Sequence, residues 1–599
     1  MNSSKLSLLI ILSVLIGLST GSGYTALAAS DEVIPFAPYR GVPESNILHP
    51  RLMTPIFIRP GDNFSVFTTS PEVESFKLYD NLNGVSVEPV ILEGPIEIVE
   101  DRADSSLEKF YKYVLMVPDN APTALYNLLI ELDGVEYQEI NAVNVVEEFK
   151  DVLKIAHFSD AHIGGYGGQY KYAYFYFDRM LYTVQALGAD VMINTGDFIE
   201  QDKVRGRNHI YTMFDSLSIP VVSTMGNTDN VFNNNGVYLW EKYMGPDFGL
   251  AILGNAMVFA LNFETGDISV DYVYQWMEEM LKAFPEKRSI VIGHYPHWDM
   301  SVVSQKLVDN FARLNELYGI DLALHGHIHT DNELVVESTG IFAVSATSVS
   351  YGREYNGFRF VYLYSNGTVK ADRSDTVNID EFYVHLSHFN NYTFYGMAIH
   401  IYNGLDEPRT VEIPVYLEDR GGHLHTVTPE VEFQEFVEKT PLGFKEVIRI
   451  TVEPGMNITI LTYTADDDEP PEILSGPTLV GFKEYNVVKV EAVDWGVGVE
   501  SIEAYYIVDG VEKQAEKVEM DSWIYPAVPR DLTGYTLRVE VVDYLGNKLV
   551  ESIKVGEDEG DMDGDMAEEV ETSFDIVTVA LVLVIVFAAA AAAILFRRR

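Results

Sequence analysis

The sequence predicts a multidomain protein, in which a central α/β domain is flanked by all-β immunoglobulin-like domains and followed by a C-terminal transmembrane helix. Three observations support this class. Strand patterns alternate with helix patterns in residues 151–375, short apolar runs broken by turns occupy both flanks, and an uncharged run covers residues 576–596. With 599 residues, the chain is long enough for about three to five domains.

The first 28 residues carry the pattern of a secretory signal peptide. Lys5 precedes an apolar run from Leu6 to Leu18, and Ala26-Leu27-Ala28 provides the small residues of a cleavage site. An uncleaved membrane anchor is the alternative that the same pattern allows.

The C-terminal end has the pattern of a membrane anchor. Residues 576–596 are 21 uncharged residues, which is long enough for a helix that crosses a bilayer. Arg597, Arg598 and Arg599 follow, and basic residues stay on the cytoplasmic side. We therefore expect a single-pass cell-membrane protein with its N-terminal bulk outside, joined to the helix by an acidic stalk at 557–573.

The amino-acid composition is consistent with a protein outside the cell and excludes some classes of binding partner. The formal net charge is −49, which argues against binding to duplex nucleic acid. The chain has no cysteine, so its stability depends on burial and metal rather than on disulfides. Four N-x-S/T motifs are candidate glycan acceptors: Asn63, Asn366, Asn391 and Asn457.

The flanks of the central domain have β patterns. Residues 29–150 are predicted to form an N-terminal β-sandwich domain, because their apolar runs are broken by Pro-Gly, Asp-Asn and Asp-Gly turns. Residues 376–465 form a second β-rich domain. An acidic, proline-containing linker at 466–472 precedes an immunoglobulin/fibronectin-like β-sandwich at 473–556.

The central region has a different rhythm. Strands are predicted at VLKIAHFS, ADVMINT, IPVVSTM, RSIVIGH and DLALHG. Helices are predicted at YKYAYFYFDRMLYTVQALG, DYVYQWMEEMLKAF and VVSQKLVDNFARLNELYG. This alternation favours a layered α/β domain over residues 151–375.

Polar side chains follow five of these strands, and the carboxyl ends of strands are where open α/β sheets bind ligands. Residues i and i+2 of extended backbone point to one side, which would bring both members of each D-x-H or H-x-H pair to one site. Nitrogen and oxygen ligands of this kind suit divalent Zn, Mn, Fe or Co. Seven ligands exceed the need of one tetrahedral ion and predict two. The seven are Asp160, His162, Asp197, Asn227, His294, His327 and His329.

The ordered set D-x-H, GD, GN, H and GHxH resembles the calcineurin-like metallophosphoesterase superfamily, over about residues 152–375. The resemblance implies a four-layer α/β sandwich that hydrolyses phosphate mono- or diesters through attack by a metal-bridging hydroxide. It also implies a ligand set for each of two ions: Asp160, His162 and His329 for the first, Asn227, His294 and His327 for the second, with Asp197 bridging both.

One position departs from the superfamily pattern. Many members carry a histidine after GN, where this chain has Thr228, and a hydroxyl has no pKa suited to proton donation. His297 is a candidate substitute, and His209 is a second; an ordinary packing role is the alternative for both. His157 and His325 are expected to support the site from behind. The residues assigned to catalysis are Asp160, Asp197, Asn227, His294 and His297.

Two functions remain open at this stage. The first is a membrane-anchored, extracytoplasmic phosphoesterase with two divalent metal ions. The second is a surface binding or adhesion protein in which the phosphoesterase domain is a catalytically silent scaffold. The complete ligand set favours the enzyme, whereas Thr228 and the β domains allow the scaffold.

Overall fold

The structure, a computed structural model, describes most of the chain between residues 34 and 555. The described residues are 34–36, 43–99, 107, 109–165, 173–200, 203–230, 236–263, 270–299, 301–427, 431–520, 523–532 and 534–555. Among them, no helix combines the length and the apolar character that crossing a bilayer requires. The predicted signal peptide, acidic stalk and transmembrane helix lie outside the described residues.

The described part of the N-terminal region is built of β-strands. Strands β1 to β9 are, in order, Ile47–His49, Ile56–Ile58, Asn63–Thr68, Val73–Asp80, Val85–Val87, Val90–Val99, Lys109–Met116, Ala124–Leu132 and Val135–Val145. One four-stranded sheet has the order β1-β3-β7-β6. The remaining strands of this region belong to a larger sheet that continues into the central region.

The central region alternates strands and helices, as predicted. Strands β10 to β21 are Val152–Phe158, Val191–Asn194, Val221–Ser223, Phe248–Leu253, Ala256–Leu261, Arg288–Gly293, Leu322–His325, Asn332–Val335, Phe342–Ser345, Gly357–Tyr364, Val369–Lys370 and Thr376–Asn378. Helices α1 to α6 are Ala173–Ala186, Lys203–Asp215, Asn227–Asn230, Gly236–Tyr243, Val270–Ala283 and Gln305–Tyr318, and a 3₁₀ turn covers Arg373–Asp375.

Two sheets face each other in the centre of the molecule. One has the order β12-β11-β10-β19-β20, and the other has eleven strands, β17-β18-β16-β15-β14-β13-β2-β9-β8-β4-β5. Their facing apolar side chains, such as Ile155 and Ile193 on one sheet and Ile290 and Leu324 on the other, form one buried core. Helices α1 and α2 cover the outer face of the first sheet, and α5 and α6 cover the second. The result is a four-layer α/β arrangement.

The N-terminal region is joined to the centre through a shared sheet. Strand β2 lies between β13 and β9 and pairs with both in parallel. The β sheet therefore crosses residue 150, where the sequence predicted a boundary. The physical reason is that β13 would otherwise present an unpaired edge, and β2 satisfies its backbone groups.

The residues described between 382 and 555 form strands and their connections. Strands β22 to β28 are Phe382–Leu386, Gly396–Asn403, Arg409–Glu418, His425–Val427, Phe433–Lys439, Gly443–Val452 and Met456–Tyr463. Strands β29 to β36 are Glu472–Phe482, Tyr485–Val493, Val499–Val508, Val511–Gln514, Glu516–Met520, Trp523–Pro529, Tyr535–Asp543 and Lys548–Val555. The first set forms sheets of four and three strands, and the second forms two sheets of four.

The two C-terminal modules are attached to the centre in different ways. Val384 and Ile399 of the first share a buried core with Phe177 and Leu181 of α1. The second module has its own smaller core around Leu537. The first module therefore packs directly against α1 and shares its hydrophobic core with the central region.

Candidate metal centre

The seven predicted ligands all follow the carboxyl ends of strands in the two central sheets. Asp160 and His162 follow β10, Asp197 follows β11, Asn227 follows β12, His294 follows β15, and His327 and His329 follow β16. Because the two sheets face each other, these ends meet at one edge of the sandwich.

The sequence predicted extended backbone at these ligands. In the structure, the backbone that brings them together is not extended. Five ligands have left-handed backbone, with φ between 50° and 66°: Asp160, His162, Asp197, His327 and His329. Non-glycine residues adopt this conformation at a cost, and such strain concentrates at functional sites. Sharp turns at the strand ends, rather than the two-residue repeat of a strand, aim these side chains at one another.

A first cluster contains Asp160, His162 and His329. Their ligand atoms lie within 4.8 Å of one another. Nε2 of His329 is 3.0 Å from Oδ1 of Asp160, and Nε2 of His162 is 3.7 Å from the same oxygen. The two imidazole nitrogens are 3.4 Å apart. This is the trio that the resemblance implies for the first ion.

A second cluster is built around His294. Asp160, Asp197 and His294 also place ligand atoms within 4.8 Å of one another. Nε2 of His294 lies 3.4 Å from Asp197 Oδ2, 3.1 Å from Asn227 Oδ1 and 3.3 Å from Nδ1 of His327. Asp197 Oδ2 is also 3.9 Å from His162 Nε2. Asp197 therefore lies between the two clusters, where a bridging ligand belongs.

The hydrogen bonds around the histidines fit metal binding. His162 donates from Nδ1 to Glu200 at 2.8 Å, His294 to the Thr195 carbonyl at 2.8 Å, and His329 to the Tyr351 carbonyl at 2.9 Å. Each bond leaves an Nε2 lone pair facing the cluster, as metal-binding histidines require. Lone pairs and carboxylates that face one another need a cation between them.

The surroundings of Asp160 also indicate a bound cation. Its side chain is fully buried, and Oδ1 accepts no hydrogen bond from the described residues. Its other oxygen accepts from the His327 backbone N–H at 3.0 Å. A buried carboxylate oxygen without a donor is costly unless a cation or a proton compensates for it. The residues therefore fit two divalent ions.

The pKa values of the histidines and of Asp160 show that the buried carboxylates stabilise positive charge beside them. Burial lowers the pKa of His294, but Asp197 outweighs burial and raises that pKa to about 10. Burial likewise lowers the pKa of His162, and Asp160 and Glu200 raise it to about 9. Burial raises the pKa of Asp160, and the facing imidazoles hold it well below its usual range. Protons and divalent metals thus compete for the same nitrogens.

Two acids support the ligands, and the sequence interpretation missed Glu200. Glu200 orients His162, and Asp229 accepts three backbone N–H bonds, from Phe198, Ile199 and Gly226, at 2.9 to 3.2 Å. Asp229 thereby links two turns: the one after Asp197, through Phe198 and Ile199, and the one before Asn227, through Gly226. The signal for Glu200 was its place three residues after Asp197 in GDFIE, but only the fold shows which ring it contacts.

The remaining histidines lie outside the two clusters. His297 is buried and hydrogen-bonded through Nδ1 to His325 at 2.8 Å and through Nε2 to Thr339 at 3.1 Å. His157 contacts Thr195 at 3.1 Å. His209 on α2 contacts Asp178 at 2.6 Å. In the part of the chain that the structure describes, no contact joins His297 or His209 to a predicted ligand, so a catalytic role for either has no geometric support here.

A large cavity lies at the other end of the sheets. Its volume is about 990 Å³, and its lining includes Leu153, Pro220, Ala256 and Arg288, which are at or next to the amino ends of strands. None of the seven predicted ligands lines this cavity. The cavity and the candidate metal centre are therefore separate features.

Comparison with known proteins identifies the central region. The pattern of the calcineurin-like phosphoesterase family matches residues 153–331. This confirms the resemblance that the ordered motifs indicated. No curated protein sequence gives a significant match.

Solved structures that are similar to this chain come from several organisms. GAP50 of Plasmodium, described as the anchor in its inner membrane complex, is 14% identical over 39% of this chain and 86% of its own, with a TM-score of 0.28. The sulfate thiohydrolase SoxB of Thermus thermophilus is 11% identical over 38% and 56%, with a TM-score of 0.23. Zinc-bound Vps29 of Entamoeba histolytica is 11% identical over 38% and 99%, with a TM-score of 0.18. Scores this low carry no argument about function.

Proposed function

We propose that this chain, whose residues 153–331 belong to the calcineurin-like phosphoesterase family, is a dinuclear-metal hydrolase of phosphate mono- or diesters. One observation carries the proposal. Seven ligand side chains converge in two clusters that share Asp160 and are spanned by Asp197. Because the fold alone hosts many functions, the site rather than the fold supports the assignment.

The charge balance of the site suits an anionic substrate. Asp160 and Asp197 are both buried, so their negative charge must be compensated locally. When bound, two divalent ions supply Lewis-acid chemistry that polarises a phosphoryl oxygen and makes water a better nucleophile at neutral pH. The ions also invert the local charge in a chain of net charge −49, which lets a phosphate approach.

The protein contributes precise positioning. Glu200, the Thr195 carbonyl and the Tyr351 carbonyl each fix the ring of one histidine. The left-handed turns prevent the ligands from relaxing along a strand. A site held in this way needs little rearrangement during reaction, and such preorganisation is a major source of rate enhancement.

Thr228 limits which esters the site can cleave well. Its backbone N–H donates to Asp197 Oδ1 at 2.9 Å, so the position supports the bridging carboxylate. The threonine side chain has no pKa suitable for protonating a leaving group. We therefore favour substrates whose leaving groups depart without a proton, including diesters with acidic alcohols. Nucleotides, phospholipid head groups and phosphorylated glycans are the candidate classes.

We further propose that the enzyme faces outward from a membrane. The support is the signal-peptide pattern, the uncharged run at 576–596 and the arginines that follow it. Two of the four candidate glycan acceptors, Asn366 and Asn457, are exposed. Protease accessibility of the intact cell surface tests this orientation, and protection of the central domain in intact cells would contradict it.

The decisive experiment compares the full chain with Asp197→Asn. We expect about two divalent ions per wild-type chain and hydrolysis of aryl phosphate mono- or diesters with added Mn or Zn. We expect turnover to fall by at least about 100-fold in the variant, because the carboxylate between the clusters loses its charge. Bound metal without turnover on either ester would favour the alternative, a surface binding protein with a silent scaffold. Absence of bound metal would reject the dinuclear site.

A further inference from the structure

The loop after β18 places one arginine beside the candidate metal centre. We propose that Arg353 binds the phosphate of the substrate and supplies positive side-chain charge to a site in which Thr228 replaces the superfamily histidine. This inference rests on the proposed function, because it assigns the substrate-binding cation of that same site. Arg353 is exposed, and its backbone N–H donates to the His329 carbonyl at 3.0 Å.

The isolation of this side chain is its first distinguishing feature. Among the described residues, no hydrogen bond, ion pair or ring contact reaches the Arg353 guanidinium. Every other lysine or arginine side chain described between residues 151 and 375 has such a partner, for example Arg313 with Glu278 and Lys306 with Asp271. In a chain of net charge −49, an arginine without an acidic partner among the described residues is available to bind an anion.

The second feature is the rigid attachment of the loop to the metal ligands. The Tyr351 carbonyl accepts from His329 Nδ1 at 2.9 Å, and Ser348 Oγ donates to the Asp160 carbonyl at 2.7 Å. The turn before Arg353 is closed, since a Cβ on Gly352 would lie 1.6 Å from the Tyr355 carbonyl oxygen. The Cα of Arg353 therefore has a fixed position relative to the first cluster, while its side chain is free to extend.

The chemistry of a guanidinium matches this role and defines its limit. Arginine offers a planar fork of N–H donors that suits two oxygens of a phosphate. It stays charged at every working pH, so it stabilises negative charge but cannot protonate a leaving group. A site with Arg353 and Thr228 therefore binds phosphate firmly and requires a leaving group that departs as a stable anion. Aryl esters, activated diesters and phosphoric anhydrides belong to this class.

The test uses the full chain and inorganic phosphate as the probe. Wild type, Arg353→Gln, Arg353→Lys and the control Arg313→Gln are compared for metal content, phosphate affinity by calorimetry, and kcat and KM on an aryl phosphate. We expect Arg353→Gln to keep its metal, to bind phosphate about 10- to 100-fold more weakly, and to raise KM more than it lowers kcat. Arg353→Lys should recover part of the loss, and Arg313→Gln should match wild type.

The outcomes separate this inference from the proposed function. Phosphate affinity and KM within about twofold of wild type in Arg353→Gln would overturn the role of Arg353, even if wild type is an active hydrolase. Loss of metal in that variant would also overturn it, since the loop would then support the ligands only. A wild-type chain that binds phosphate through Arg353 but hydrolyses no ester would reject the hydrolase and retain the binding role. A wild-type chain that binds no phosphate would reject the Arg353 assignment.

Discussion

His294 and His297 are three residues apart, and both are almost completely buried, yet their chemical surroundings are opposite. His294 faces Asp197 and Asn227, and its pKa rises to about 10, because Asp197 outweighs burial. His297 faces His325 and Thr339, and burial lowers its pKa to about 4. His327 and His325 differ in their contacts instead: burial lowers the pKa of both, but His327 faces His294 of the metal centre, whereas His325 faces His297 behind it.

The pair behind the centre is a neutral hydrogen-bond relay. Thr339 donates to His297 Nε2, His297 Nδ1 donates to His325 Nε2, and His325 Nδ1 donates to the Gly293 carbonyl at 3.0 Å. Every polar atom in the relay is satisfied without charge. The comparison teaches that burial alone makes a histidine a neutral structural element, and that a buried carboxylate turns the same residue into a cation site.

The largest expected effect contrasts His294→Ala with His297→Gln. Loss of His294 should reduce bound metal from about two ions to about one and lower turnover by about 1000-fold, because one cluster loses its central nitrogen. His297→Gln should keep both ions. Metal analysis of the purified chains, together with aryl phosphate turnover, checks this. Equal metal loss in the two variants would contradict the assignment of His294 to the metal centre and of His297 to a structural role.

A smaller effect concerns acid stability. The lowered pKa of His297 means that the unfolded chain takes up a proton near pH 6.5 that the folded chain refuses until about pH 4. Stability from this group is therefore complete above pH 6.5 and is lost as the pH falls towards 4, by up to roughly 3 kcal/mol. The difference in unfolding free energy between wild type and His297→Gln, measured from pH 7 to 4, should shrink as the pH falls. A constant difference would contradict the neutral state of the relay.

The smallest expected effect concerns Glu200, whose contact with the centre among the described residues is through His162. Glu200→Gln keeps the size of the side chain but weakens the hydrogen bond to Nδ1, so metal affinity should fall by about 10-fold. A competitive chelator titration measures this. Glu278→Gln, which changes an acid paired with Arg313 on the surface, is the matched control and should leave the affinity unchanged. Equal affinities in wild type and Glu200→Gln would show that the ring is held by other contacts.

Sequence patterns predicted which residues make up the site, but they did not predict its geometry. The ligand types and their order after strands are local features, and they indicated the family correctly. The left-handed turns at Asp160 and His329 do not follow from local preference, since non-glycine residues adopt this conformation only at a cost. The HYPHW segment likewise suggested a catalytic His297, whereas the structure pairs that ring with His325.

The amino-acid order alone defines which chemistry is available: the histidines, carboxylates and amide at strand ends, the alternation of strands and helices, and the apolar segments at the two ends. Only the tertiary structure decided which histidines share a space with Asp160 and Asp197, which acids orient them, and that β2 completes the central sheet. The physical reason is that electrostatic and hydrogen-bond partners are set by distance in space, and residues up to 169 positions apart along the chain meet here only after both sheets have packed.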